Sequence, residues 1–168
     1  TENDSGTVNA TFTVTLSATS AQTVRVNFLA SPFFSGAVGF TPATRGGDYE
    51  DVPGTVAFLP GEASKTFSVP VKGDLIDEPD QLFSVALTTP VNALISDGRG
   101  IGKILDNDAP ATISINDVAG AENTPTQRSL TFTVSLNGPS EKDLSVEYST
   151  QAGTATSGTD YGAVSGVV

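Results

Sequence analysis

The chain has 168 residues, enough for one or two domains with real cores, and 38% of them are apolar. A balance of 8 basic against 19 acidic residues leaves a net charge of −11, which argues against nucleic acid and against anionic membrane surfaces as partners. With no Cys and no His, disulfides, zinc–thiolate sites, thiol catalysis and the commonest general base are excluded; no apolar run approaches the roughly 18 residues of a membrane span, and no signal peptide is visible.

In chain order, the dominant pattern is alternation with period two. Val8, Ala10, Phe12, Val14 and Leu16 alternate with Asn or Thr, and Val24, Val26 and Phe28 alternate with Arg25 and Asn27. Val56 and Phe58, then Phe67, Val69 and Val71, then Phe83, Val85 and Leu87 repeat the theme between Gly, Pro, Asn and Asp punctuation. Such runs predict half-buried strands, and no window has the 3.6-residue period of an amphipathic helix. The expected class is all-β, an antiparallel immunoglobulin-like sandwich.

The sequence also repeats itself. Thr11-Phe12-Thr13-Val14-Thr15-Leu16 returns as Thr131-Phe132-Thr133-Val134-Ser135-Leu136, and Val24–Phe28 returns at Leu144–Tyr148 with the same offset. Gly47-Asp48-Tyr49 returns around Asp160-Tyr161 with a shorter offset, so the first copy carries extra residues between Leu29 and Phe40. Ser31-Pro32-Phe33-Phe34-Ser35-Gly36 is the expected insertion, either folded over the sheet edge or presenting an exposed Phe-Phe tip. The second copy opens on a strand at Ala111–Ile115 that has no counterpart before Glu2, and it stops in the strand matching Val56–Phe58. The expected division is therefore 1–108, a repeat lacking its first strand, and 109–168, the N-terminal half of a second repeat. A window on a longer tandem array is one source of that pattern, and strands supplied by a neighbouring chain are the other.

Carboxylates crowd two loops, Gly73-Asp74-Leu75-Ile76-Asp77-Glu78-Pro79-Asp80 and Asp106-Asn107-Asp108. Charges this close repel unless a cation sits among them, and the neighbouring Lys72 and Lys103 are too few. Oxygen-only donors on loops point to a hard cation, and to Ca²⁺ before any transition metal.

Together these segments resemble the Calx-beta family. Its central signature is similar to Gly47-Asp48-Tyr49, Gly54-Thr55-Val56-Ala57-Phe58-Leu59-Pro60-Gly61-Glu62 and Lys65-Thr66-Phe67-Ser68-Val69-Pro70-Val71. Its later motifs resemble Asp77-Glu78-Pro79-Asp80-Gln81-Leu82-Phe83 and Ile104-Leu105-Asp106-Asn107-Asp108, and Gly158-Thr159-Asp160-Tyr161 matches in the second copy. The resemblance implies seven-strand sandwiches in tandem, with Ca²⁺ ligands on the loops at one end. By motif position those ligands would be Glu2, Asp48, Asp74, the Ile76 carbonyl, Glu78, Asp106 and Asp108, with Asp77 and Asn107 as further candidates. Gln81, where a second Glu can occur, and Asn107, within an all-Asp run, each remove a negative charge and should weaken a multi-ion cluster. The second copy retains only Glu122 and Asp160, with Asp117 nearby. That is too few for a cation that takes about six to eight oxygens.

If the strands alternate up and down, Glu2, Asp48, the Asp74–Glu78 loop and Asp106–Asp108 all fall at one end of the sandwich. That end runs through Ala109-Pro110 into the second copy, whose Asn137–Asp143 turn should face it. The expected function is a non-catalytic, calcium-binding structural or adhesive repeat of a large secreted or cell-surface protein, bacterial in type, in which Ca²⁺ stiffens the domain junction. Expected partners are neighbouring repeats, identical chains in a fibre or a matrix target, with no nucleic acid and no membrane insertion. The alternative is a Ca²⁺-sensing regulatory module of a larger membrane or signalling protein. Paired carboxylates also serve glycoside hydrolysis, but nothing resembles a substrate cleft and stacking aromatics are scarce. Tyr49 and Tyr161 read better as corner or core residues.

Overall fold

The computed structural model describes residues 1–121 and 128–168, and among them there is no helix. The first copy forms strands β1 (Thr7–Thr15), β2 (Val24–Pro32), β3 (Thr41–Pro42), β4 (Gly54–Phe58), β5 (Ser64–Lys72), β6 (Gln81–Val91) and β7 (Arg99–Ile104), the alternating runs supplying all but β3 and β7. One sheet is the antiparallel pair β1–β5, in register from Thr7 opposite Lys72 to Thr15 opposite Ser64. The other has the order β4–β2–β6–β7, and the short β3 joins β6 in parallel beside Gln81 and Leu82.

The inward residues of the two sheets meet in one aromatic stack. Phe67 of β5 lies 3.8 Å from Phe28 of β2 and 5.5 Å from Phe12 of β1, and Tyr49 stacks on Phe83 of β6 at 4.9 Å. Tyr49, Phe83, Val69 and Phe58 are almost wholly buried, each worth about 1.5–3 kcal/mol of transfer free energy. Tyr49 is thus a core residue, whereas Tyr161 of the second copy is only half-buried.

The insertion is an excursion that leaves and rejoins the same edge of β6. Pro32 lies opposite Phe83 at its start and Pro42 opposite Leu82 at its end. Phe33 faces Arg99 at 5.7 Å and Phe40 faces the Lys103 ammonium at 4.5 Å, so the loop covers the outer face of β6–β7, while Phe34 stays 81% exposed. Both sequence expectations hold in part, one for each Phe of the pair. This cover also explains why β6 departs from alternation: Gln81 to Val85 are all buried.

In the second copy the strands are β8 (Ile113–Ile115), β9 (Val134–Leu136), β10 (Glu147–Ser149) and β11 (Ser165–Val167), paired β8–β9 and β10–β11. The register repeats that of the first copy. Phe28 lies opposite Gly54 and Tyr148 opposite Gly166, and in each pair the aromatic ring occupies the space where a glycine Cβ would stand. Cross-strand cover of a glycine by an aromatic ring fixes register, because a bulkier residue there would displace the ring.

Candidate metal centre

The acidic end is built from four backbone segments pinned to one another. The first carries Glu2, whose N–H donates to the Leu105 carbonyl at 3.1 Å, while Gly73 N–H donates to Gly6 at the foot of β1. Gly73 passes so close to this segment that a Cβ there would stand 1.5 Å from the Asn3 carbonyl oxygen. The second is the turn before β4: Asp48 N–H donates to Thr44 O at 2.9 Å, Lys72 N–H to Asp48 O at 2.8 Å, and the Asp48 carboxylate accepts from the Thr44 amide. The same turn recurs in the second copy, where the Asp160 carboxylate accepts from Thr156 N–H at 2.7 Å.

The β5–β6 connection is the third segment. Asp74 Oδ1 accepts from Ile76 N–H at 2.8 Å, closing a local Asx turn. Glu78 is buried, and the Gln81 amide donates to its Oε2 at 3.0 Å. Gln81 therefore does more than remove a charge, because it orients the glutamate three residues before it. The fourth segment follows β7. Asp106 N–H donates to Asp80 Oδ1 at 3.2 Å, Asp108 N–H donates to Asp106 Oδ1 at 3.3 Å, and Lys103 pairs with Asp80 at 3.1 Å.

Glu2, Asp106 and Asp108 each offer an oxygen within 4.8 Å of the others, a spacing compatible with ligands standing about 2.3–2.6 Å from one Ca²⁺. Asp108 Oδ2 is buried with no hydrogen-bond partner, although buried polar atoms are nearly always paired. Burial, followed by repulsion from Asp74, Asp106, Asp108 and Asp48, pushes the Glu2 carboxyl up to about 7. Burial, followed by Asp48, Glu141, Asp74 and Glu2, pushes Glu78 up to about 8. Asp108 is raised as well, by burial and then by Asp106. Protons or a cation must offset this charge, so the donor set fits a hard divalent ion.

Asp77 and Asn107 are placed differently. Asn107 donates to Asp4 Oδ1 at 3.0 Å. Asp77 turns to the second copy, where the Ser140 hydroxyl donates to it at 3.1 Å and the Lys142 ammonium pairs with it. Glu141 N–H donates to the Asp77 carbonyl at 3.0 Å, and Lys142 also reaches Asp106 Oδ2 at 3.4 Å. The Asn137–Asp143 turn therefore does face the acidic end, across a cleft of about 390 Å³ lined by Leu75, Asp108, Ala109 and Pro139 among others. Glu141 and Lys142 carry no ligand motif, and their part in this end emerges only from the docking of the two copies. Glu122 lies outside the described residues, and Asp160 is exposed on its turn.

A sandwich with acidic loops gathered at one end, followed by a second copy of its own strands, defines a class of tandem β-module. The chain matches the Calx-beta domain over residues 2–119 and again over 106–168, and it belongs to that family. It is 29% identical over 140 residues to Extracellular matrix protein 3 of Lytechinus variegatus, an alignment covering 72% of this chain and 4% of that much longer protein. Among solved structures it is similar to the calcium binding domain CBD12 of CALX1.1, with a TM-score of 0.53 and 21% identity over 65% of this chain and 42% of that one. It is likewise similar to CBD12 from CALX1.2, with a TM-score of 0.53 and 20% identity over 95% of this chain and 63% of that one. These structural likenesses show the shared sandwich fold.

Proposed function

We propose that this chain is a non-catalytic, calcium-binding structural module, divided at 1–108 and 109–168, whose ion stiffens the junction between consecutive repeats. The observation that carries this reading is the convergence of Glu2, Asp48, Asp74, Glu78, Asp106 and Asp108 at the end that abuts the second copy, with a buried Asp108 oxygen left unpaired. Bound there, Ca²⁺ neutralises the cluster and gives its carboxylates a common ligand. The Ile76 carbonyl completes the proposed set. Asp108 lies two residues and Asp106 four residues before Pro110, so fixing them fixes the start of a short, Pro-containing linker.

The likeness to an extracellular matrix protein and the calcium-binding description of the CALX1.1 structure support this assignment. An extracellular setting supplies enough Ca²⁺ for sites of about 10⁻⁴–10⁻³ M, the range of extracellular modules. The proposal extends to a supporting or adhesive role in a large surface or matrix protein, with repeats in series forming a fibre.

Calorimetric titration with Ca²⁺ tests the reading. Submillimolar to millimolar affinity with a raised melting temperature is expected. Micromolar affinity with a large change in shape would instead make the chain a regulatory sensor. Absence of binding at about 10 mM would leave a scaffold repeat without an ion. The double substitution Asp74→Ala with Asp108→Ala should abolish the Ca²⁺-dependent rise in melting temperature; an unchanged rise would place the ion on other loops.

A further inference from the structure

We propose that Lys142 of the second copy is a tethered cation that shares Asp106 with the ion site, closing the junction when Ca²⁺ is low and setting how tightly Ca²⁺ binds. The inference rests on the calcium reading above and adds the residue by which one repeat controls the ion site of the one before it.

Lys142 lies between Asp77 and Asp106, 3.4 Å from Asp106 Oδ2 and in closer contact with Asp77. Asp77 is only 3% exposed and Asp106 10%, while the lysine remains 37% exposed. The lysine thus pairs with two nearly buried carboxylates while more than a third of its own side chain stays open to solvent, a position it can leave. Asp106 belongs to the oxygen triad with Glu2 and Asp108. A divalent ion drawing on this carboxylate withdraws negative charge from Oδ2, the oxygen that faces the ammonium, so the ion and the lysine compete for Asp106. Asp77, which the Lys142 hydrogen bond holds below the usual carboxylate range, stays behind as the lysine's anchor when Ca²⁺ claims Asp106. The Ser140 hydroxyl and the Glu141 amide hold the same turn to Asp77, so the junction keeps its contact through the exchange.

The internal repeat shows that the charge is specific to this junction. At an offset of 120 residues, Ser140 corresponds to Ser20 and Lys142 to Gln22. The turn itself is the same in both copies: Lys142 N–H donates to Ser140 Oγ at 3.1 Å and Gln22 N–H donates to Ser20 Oγ at 2.9 Å. The fold therefore accepts Gln at this position, and Lys142 is the one cation in a turn that also gains Glu141 and Asp143 where the first copy has Ala21 and Thr23.

Lys142→Gln in the full chain is the test, with Lys142→Arg as the charge-keeping control. Two quantities are read: exchange of the Glu141 amide, whose hydrogen bond crosses the junction, and Ca²⁺ affinity at low and high salt. In chelator, Lys142→Gln should speed exchange of the Glu141 amide about tenfold, and it should tighten Ca²⁺ binding about fivefold at low salt, a gap that narrows in about 0.5 M salt. Lys142→Arg should behave like the unsubstituted chain. Unchanged exchange, or Ca²⁺ affinity that is equal or weaker in Lys142→Gln, would overturn the inference while leaving the calcium assignment intact. Failure of the unsubstituted chain to bind Ca²⁺ would instead overturn both.

Discussion

Glu2 and Glu78 are acids that titrate near neutrality because burial and neighbouring carboxylates oppose their ionisation. Their pKa values rise from 4.5 to about 7 and about 8. A carboxyl with a raised folded-state pKa binds more protons folded than unfolded, so its contribution is full below the unfolded value and is lost as pH rises through the folded one. In chelator, the melting temperature should therefore fall as pH is raised from about 6 to about 9, and saturating Ca²⁺ should remove that fall. Ca²⁺ binding at about pH 6.5 should also release protons, seen as an apparent enthalpy that varies with the ionisation enthalpy of the buffer. A flat melting temperature over that range in chelator would mean that the two glutamates are not crowded as described. Asp77 has the opposite sign, since Lys142 lowers it, and its contribution is lost in acid.

At the level of elements, the site depends on the close passage of the β5 end past the N-terminal segment. Gly73 allows it, because any Cβ there would collide with the Asn3 backbone. Gly73→Ala should force the Glu2 segment away from Leu105, at a cost of about 1–3 kcal/mol as in other overpacked sites. Ca²⁺ affinity should fall at least tenfold with it, since Glu2 is part of the oxygen triad. Calorimetry checks both, and an unaltered affinity would remove Glu2 from the ligand set. Strands β1, β2, β4, β5 and β6 were legible from alternation, whereas the two-residue β3 and the glycine-rich β7 carry no such run. The two-sided burial of Gln81 to Val85 was not legible, because it comes from the Phe33–Phe40 excursion crossing the outer face of β6–β7 rather than from anything local to β6.

Across the whole molecule, the acidic end and the second copy meet through a short linker, and the coupling should depend on its length. Inserting about four Gly/Ser residues between Asp108 and Ala109 lowers the effective concentration of the docking turn without touching a proposed ligand. Glu141 amide exchange in chelator should then speed up, and Ca²⁺ binding should tighten by up to the roughly fivefold expected of Lys142→Gln, because Lys142 is held less often at Asp106. Loss of Ca²⁺ binding would instead show that the docked second copy is needed to form the ion site at all.

Alternation, the internal repeat and the acidic motifs by themselves determined the all-β class, the tandem organisation and the four loops that share one end. Those features are local or periodic, and strand alternation carries them to a common end with little freedom. Only the tertiary structure decided how the carboxylates divide their work. Asp108 keeps an unpaired buried oxygen, Asp80 holds the Asp106 loop, Asn107 turns to Asp4, and Asp77 leaves the cluster for Ser140 and Lys142. The physical reason is that these assignments depend on which charges come within a few ångströms across the junction. Lys142 lies 36 residues from Asp106 in the chain, and nothing in a linear motif marks it as that carboxylate's neighbour.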